Sequence, residues 1–266
     1  MHALVFAAGR GSRLRPYTDA TPKPLLEIDG VPLLERTLRS VGAAGIDMIT
    51  IVVGYRAEAV REAIGTAVEG VPVSYAVQTE RLGLAHAVRT AFEDGYGVTE
   101  PDALSDTSGV GGDGDLPTDV ITVNGDNVFG PDCDLSRLCE THHEPAVDGT
   151  LLLDRVSRNE AEATARIDLA DDETVRSLES ATGTVDGPTS GYIAAGVQTH
   201  DAHALYDACR RVDRAETGEY ELTDALESLL ADGRRYVGVE LEGWHLNVNT
   251  PDDLERARSY LGRHRS

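Results

Sequence analysis

Apolar positions in the first half of the chain fall into short blocks whose period alternates between that of a strand and that of a helix. His2 to Ala8 is an almost unbroken apolar run that stops at Gly9, the pattern of a strand buried on both faces. Pro32 to Ala44 places Leu34, Leu38 and Val41 on one helical face and ends at Gly45. Met48 to Val53 reads as the next strand and Ala57 to Val68 as a helix. Val71 to Val77 and Ala85 to Phe92 repeat the pair. Such alternation predicts an α/β fold, a mostly parallel sheet with helices on both faces.

The pattern dissolves into Gly, Ser, Asp and Pro over residues 99–118, which reads as a flexible acidic surface insertion. Order returns with the strand Val120 to Val123, which ends at Asn124-Gly125-Asp126-Asn127. Beyond it, Thr150 to Val156, Ala163 to Leu169, Thr174 to Leu178 and Tyr192 to Val197 read as strands. Ala202 to Cys209, Tyr220 to Leu230 and Pro251 to Leu261 read as helices, the last with Asp252 and Asp253 in its first turn. No internal repeat is found, so residues 1–266 are taken as one domain.

Composition narrows the function classes. Hydrophobic residues make up 41% of the chain, enough for a sizeable core. No run reaches the roughly 18 apolar residues of a membrane span. The opening residues lack the shape of a secretory signal, so a cytoplasmic protein is expected. Three cysteines, Cys133, Cys139 and Cys209, form no CxxC pair and are expected to be reduced thiols without zinc. The formal net charge of −22 disfavours nucleic acid and anionic membrane as partners. Lys23 is the single lysine, against 46 acidic residues. That balance suits a salt-loving cytosol, where ions screen the self-repulsion. A lone lysine kept between Pro22 and Pro24 therefore invites a functional reading.

Chemistry enters with Ala7-Ala8-Gly9-Arg10-Gly11-Ser12-Arg13-Leu14, directly after the first strand. Glycines there let backbone N–H groups approach phosphate, and Arg13 adds a charged donor. A dinucleotide-binding GxGxxG is excluded because Leu14 occupies the third glycine position, and no GK[ST] of a Walker A loop follows. An oxidoreductase reading is disfavoured by the same leucine.

Residues 4 to 34, LVFAAGRGSRLRPYTDATPKPLLEIDGVPLL, closely resemble the signature of the sugar nucleotidyltransferase family. The resemblance continues through Ala43 to Tyr55, Gln78 with Leu82 to Ala85, Asn124 to Phe129, Gly218 to Asp224, and Gly243 to Asp253. It implies a Rossmann-like three-layer fold with a nucleotide-binding half over 1–130 and an acceptor-binding half over 131–266. By resemblance, Ala8, Gly9, Gly11, Ser12 and Arg13 hold the triphosphate, and Lys23 sits over the reacting phosphates. Gln78 and the Gly83 backbone meet a pyrimidine edge, as in members that use UTP or dTTP. Asp126 binds magnesium with Asn247 as second ligand, and Glu179, Tyr192 and Gly196 face the acceptor.

The implied reaction is attack by a sugar 1-phosphate on the α-phosphorus of UTP or dTTP, with pyrophosphate leaving in line. The attacking phosphate is already anionic, so no catalytic histidine is expected; His142, His143 and the other histidines are read as surface residues, and Trp244 as packing. Departures cluster in the acceptor half. Asn247 stands where the family often has aspartate, Ala165 replaces a usual glycine, and Glu179-Ser180-Ala181 replaces Glu-Lys-Pro, leaving Arg166 or Arg176 as a substitute phosphate contact. Another phosphorylated acceptor, such as an amino sugar phosphate or phosphocholine, and a non-catalytic regulatory subunit are the rival readings. Homo-oligomerisation is left open.

Overall fold

A computed structural model describes residues 1–98, 116–157, 166–179 and 190–263. Most of the anticipated 99–118 insertion, and Ala165, Ser180 and Ala181, lie outside the described residues. Strand β1 (His2–Ala7) pairs in parallel with β4 (Met48–Val53) on one side and β7 (Asp119–Asn124) on the other. β4 in turn pairs in parallel with β6 (Val71–Val77). The chain therefore builds outward from β1 through β4 to β6, then returns to β1's other edge at β7. That reversal opens a crevice beyond the carboxyl ends of β1 and β7, where sheets of this kind take their ligands.

The second half extends the same sheet. β12 (Ser190–Asp201) runs antiparallel to β7 and pairs with β9 (Gly149–Ser157), which β13 (Tyr236–Glu240) joins in parallel. β10 (Arg166–Leu169) and β11 (Val175–Glu179) complete that edge. The sheet is thus mixed around a parallel centre, with ten strands among the described residues.

Alternation along β1 shows why both faces are covered. Ala3, Val5 and Ala7 join one apolar layer with Leu34, Leu38 and Val41 of α1 (Leu33–Gly42), Val60 and Ile64 of α2 (Ala57–Ile64), and Leu138 of α4 (Ser136–His142). Leu4 and Phe6 join the opposite layer with Val88 of α3 (Leu84–Thr90), Leu205 of α5 (Ala202–Arg211) and Leu226 of α6 (Leu222–Ala231). A third, smaller cluster packs Leu14, Ile28, Val128 and Val248 under α7 (Pro251–Arg263). It joins the hairpin β2–β3 (Glu27–Ile28, Val31–Pro32) to the antiparallel ribbon β8–β14 (Asn127–Phe129, His245–Asn247) at the mouth of the crevice.

Two expectations are corrected. The helix anticipated over 57–68 stops at Ile64; Gly65 takes a left-handed φ of 76°, and Ala67–Val68 turn back as β5 against β6. Nor are all the histidines on the surface. His142 is buried between Asp119 and Thr199, and His200 is fully buried against the Tyr236 hydroxyl at 2.7 Å. Burial pushes the His200 imidazole down to about 3, so it is neutral there. Trp244 packs on Tyr260 as anticipated, with ring centroids 5.1 Å apart. The three cysteines are free thiols, and burial raises all of them. No helix among the described residues is long and apolar enough to cross a membrane.

Close approach of β9 to its neighbours fixes one glycine. A Cβ at Gly149 would fall 2.5 Å from the Thr199 carbonyl oxygen and 2.2 Å from the Tyr236 ring. Gly149→Ala is expected to lower the unfolding free energy by about 1–3 kcal/mol. Denaturant unfolding reads this directly, and an unchanged midpoint would contradict the packing described.

Candidate active site

The loop after β1 is shaped by its contact with Lys23. Gly11 takes a left-handed φ of 67°, and a Cβ there would lie 2.7 Å from the Lys23 Cβ. The Thr18 hydroxyl donates to the Gly11 carbonyl at 2.8 Å, and the turn Ser12–Leu14 starts with Leu14 N–H on that same carbonyl. Leu14 is buried in the third cluster, which explains a leucine where a dinucleotide loop would carry glycine.

Pro22 and Pro24 hold Lys23 at the start of a single 3₁₀ turn, with most of its side chain buried. Its Nζ donates to Asp126 Oδ2 at 2.6 Å and to Asn249 Oδ1 at 3.0 Å. Arg13 Nη2 donates to that same Asn249 oxygen at 2.9 Å. One amide oxygen thus gathers both candidate phosphate-binding cations. The Asn249 Nδ2 donates to Asn247 Oδ1 at 2.6 Å. Asn249 is itself held by helix α7: its N–H and that of Thr250 donate to Asp253 Oδ2, while Thr250 Oγ1 accepts from Asp253 N–H. This is a capping-box arrangement, and it anchors the site through the helix start.

Asp126 follows β7. Gly125 N–H donates to Phe6 O at 2.9 Å, which draws the turn onto β1. Asp126 Oδ1 is buried with no hydrogen-bond partner among the described residues. Asn247 sits opposite Asn127 in the ribbon, and Val248 N–H donates to the Asp126 carbonyl. A carboxylate oxygen without a hydrogen-bond partner among the described residues, on the same cavity wall as the Asn247 amide, is a donor set suited to a hard divalent cation.

At the other end, Gln78 Nε2 donates to Gly83 O at 3.1 Å and lies 2.9 Å from His86 Nδ1. Gly83 has a φ of 97°, and a Cβ would run into the Tyr220 backbone at 2.4 Å. Tyr220 N–H donates to Leu82 O, and Tyr220 O accepts from Ala85 N–H. The segment before α6 thereby clasps the Gln78–Gly83 loop.

A single cavity of about 650 Å³ connects these parts. Its wall includes Ala8, Gly9, Gly11, Ser12, Arg13 and Lys23 from the first loops, Gln78 and Gly83 from the far end, and Asp126 and Asn247 from the ribbon. Sequence reasoning missed Arg10, Arg81, Asn124, Glu219 and Asn249 on the same wall. Asn249 lay in a stretch already singled out, but nothing in its identity signals contacts with Arg13 and Lys23. In a chain of net charge −22, four cationic side chains face this cavity against two carboxylates, Asp126 and Glu219. The local field favours an anion such as a polyphosphate.

The acceptor-side residues are less gathered. Gly196, at a φ of 71° in a bulge of β12, lets Asn124 approach to where a Cβ would meet its Nδ2 at 2.6 Å, and the Gly196 carbonyl accepts from Asn127. Tyr192 donates its hydroxyl to Glu240 at 3.0 Å and carries the Arg155 guanidinium on its ring. Neither residue forms part of the cavity wall. Glu179 ends β11, and its side chain, like that of Arg166, lies outside the described residues.

The family model described as nucleotidyl transferase matches residues 2–263, and the chain belongs to that family. It is a nucleotidyltransferase. The chain is 28% identical over 261 residues to the UTP--glucose-1-phosphate uridylyltransferase AglF of Haloferax volcanii, covering 98% of this chain and 96% of that protein. It is 32% identical over 264 residues to a glucose-1-phosphate thymidylyltransferase of Streptomyces antibioticus, covering 98% of this chain and 66% of the relative. Identity is 28% over 261 residues to a bifunctional protein GlmU of Methanococcus maripaludis, of which 54% is covered.

Gly11→Ala is expected to push Lys23 out of line and cut nucleotidyl transfer by about tenfold or more, with the circular dichroism spectrum unchanged. Full activity in that variant would show that the loop does not set the Lys23 position.

Proposed function

We propose that the protein transfers a nucleoside monophosphate from UTP or dTTP to a sugar 1-phosphate, releasing pyrophosphate. The observation that supports this reading best is the joining of Lys23, Arg13, Asp126 and Asn249 in one hydrogen-bonded frame inside the cavity. The glycine loop offers backbone N–H groups to the triphosphate. Arg13 and Lys23 neutralise its charge and hold the α-phosphorus in line with the incoming phosphate oxygen. Charge builds on the α-phosphoryl and leaving oxygens as the bond to pyrophosphate breaks, and a fixed ammonium beside them stabilises that change more than the ground state. Positioning and electrostatics suffice, since the nucleophile needs no proton removed.

Magnesium fits Asp126 and Asn247, where it would neutralise the triphosphate and draw electron density from the reacting phosphoryl group. Asp126 supplies the anionic oxygen, and Asn247 a neutral one. Gln78 and Gly83 read the base, a role implied by the resemblance and supported by their place on the wall of the same cavity. The acceptor enters from the β12 side, beside Asn124, whose side chain Gly196 lets settle close to β12; Glu179 and Tyr192 belong to its outer surroundings.

A different phosphorylated acceptor is the second reading, and the Glu179-Ser180-Ala181 sequence in place of Glu-Lys-Pro favours it. Pyrophosphate release with Mg²⁺ in molar KCl, from a grid of nucleoside triphosphates against phosphorylated acceptors, tests both. Release with a pyrimidine triphosphate and a hexose 1-phosphate is expected; release only with another acceptor would establish the second reading.

Lys23→Ala should lower kcat/KM by about 10²-fold or more, and a loss below tenfold would count against contact with the transition state. Asn247→Asp adds a charged ligand and should shift the Mg²⁺ activation curve to lower concentration. An unmoved curve would remove Asn247 from the metal's surroundings.

A further inference from the structure

Gln78 carries two chemically different ends, and which one faces the cavity decides which bases it can accept. The Gly83 carbonyl, an obligatory acceptor, lies 3.1 Å from one end, so that end is the NH₂ group. The same Nε2 lies 2.9 Å from His86 Nδ1. An NH₂ group donates there only if Nδ1 keeps its lone pair, which places the ring proton of the neutral imidazole on Nε2. Burial, helped by the Arg89 guanidinium, lowers the His86 pKa and outweighs the opposing carboxylates of Glu93 and Glu80. Both Gln78 donors are therefore engaged by protein acceptors. The remaining polar atom, Oε1, belongs to a residue that is 95% buried yet on the cavity wall.

We propose that His86 is the positioning residue that locks the Gln78 amide with its oxygen toward the cavity, so that the site selects a base carrying N3–H and rejects cytosine. The inference rests on the reading that Gln78 meets the base edge. Uracil and thymine present a hydrogen at N3, which Oε1 accepts. Cytosine, of the same ring size, presents a lone pair there, and two acceptors facing each other leave a buried polar group unpaired. The amide cannot simply turn over to suit cytosine. Its oxygen would then face the Gly83 carbonyl, which cannot donate, and the His86 ring would have to move its proton from Nε2 to Nδ1. Removing the His86 acceptor frees one NH₂ hydrogen for the base, so cytosine's N3 gains a donor.

Isothermal titration calorimetry with UTP and CTP, on wild type and on His86→Leu and His86→Asn, tests this without turnover. Wild type is expected to prefer UTP by about tenfold or more, because a site built to hydrogen-bond one partner leaves its own group unpaired with the other. His86→Leu should shrink that ratio by about tenfold, chiefly through tighter CTP binding, whereas His86→Asn, whose side-chain oxygen can take the place of Nδ1, should restore it. A general loss of packing would weaken both nucleotides together and leave the ratio unmoved. An unchanged ratio in His86→Leu, or no UTP preference in wild type, would overturn the inference. Failure of the sugar-phosphate reading would appear separately, as absent pyrophosphate release from protein that still discriminates UTP from CTP.

Discussion

The site depends on one short contact, the 2.6 Å ion pair between Lys23 and Asp126. Lys23 comes from a loop between β1 and α1, and Asp126 from the end of β7, 103 residues later. Both side chains are largely buried, so removing either partner would leave the other without its compensating charge. The pair holds only because Gly125 pulls the β7 turn onto β1 and because Gly11 has no side chain to press on Lys23. Asn249, set by the first turn of α7, closes the frame from the far end of the sequence. Three distant parts of the chain thus meet at one ammonium group.

That arrangement gives the cavity its chemical polarity. Arg13 and Lys23 make one end cationic, the charge that the proposed triphosphate site requires, while Asp126 Oδ1, buried without a hydrogen-bond partner among the described residues, is where the proposed magnesium would bind. The other end, built by Gln78, Gly83 and the Tyr220 backbone, is held by its own hydrogen bonds and carries directed polar groups. Against a net charge of −22, this cavity holds four cationic side chains and two carboxylates among its lining residues. The chain's single lysine is one of the four.

Most of the fold, and which residues line the cavity, was legible in the sequence, for physical reasons that differ by element. The buried strands β1, β4, β6 and β7 read clearly because both faces of a central parallel strand are apolar. The first-loop residues that the cavity gathers stood out because glycine, arginine and a proline-flanked lysine follow β1 in close succession. The β2–β3 hairpin, the β8–β14 ribbon and β13 did not, since two- to five-residue pieces carry too little periodicity, and their pairing is decided by partners far away in the chain. Burial of His142 and His200 was missed for a related cause. Each is made tolerable by a tertiary partner, Asp119 with Thr199 or Tyr236, that sequence spacing does not reveal. Asn249 was hidden in the same way, because its role lies in which cations reach it.

The most direct measurement of the central claim is a crystal structure with Mn²⁺ and a non-hydrolysable UTP analogue, the metal located by its anomalous scattering. The account predicts the triphosphate along the Gly9–Arg13 loop, the Lys23 ammonium on a phosphate oxygen, and the anomalous peak beside Asp126 and Asn247. A triphosphate bound away from that loop, or a metal that leaves both Asp126 and Asn247 untouched, would contradict it.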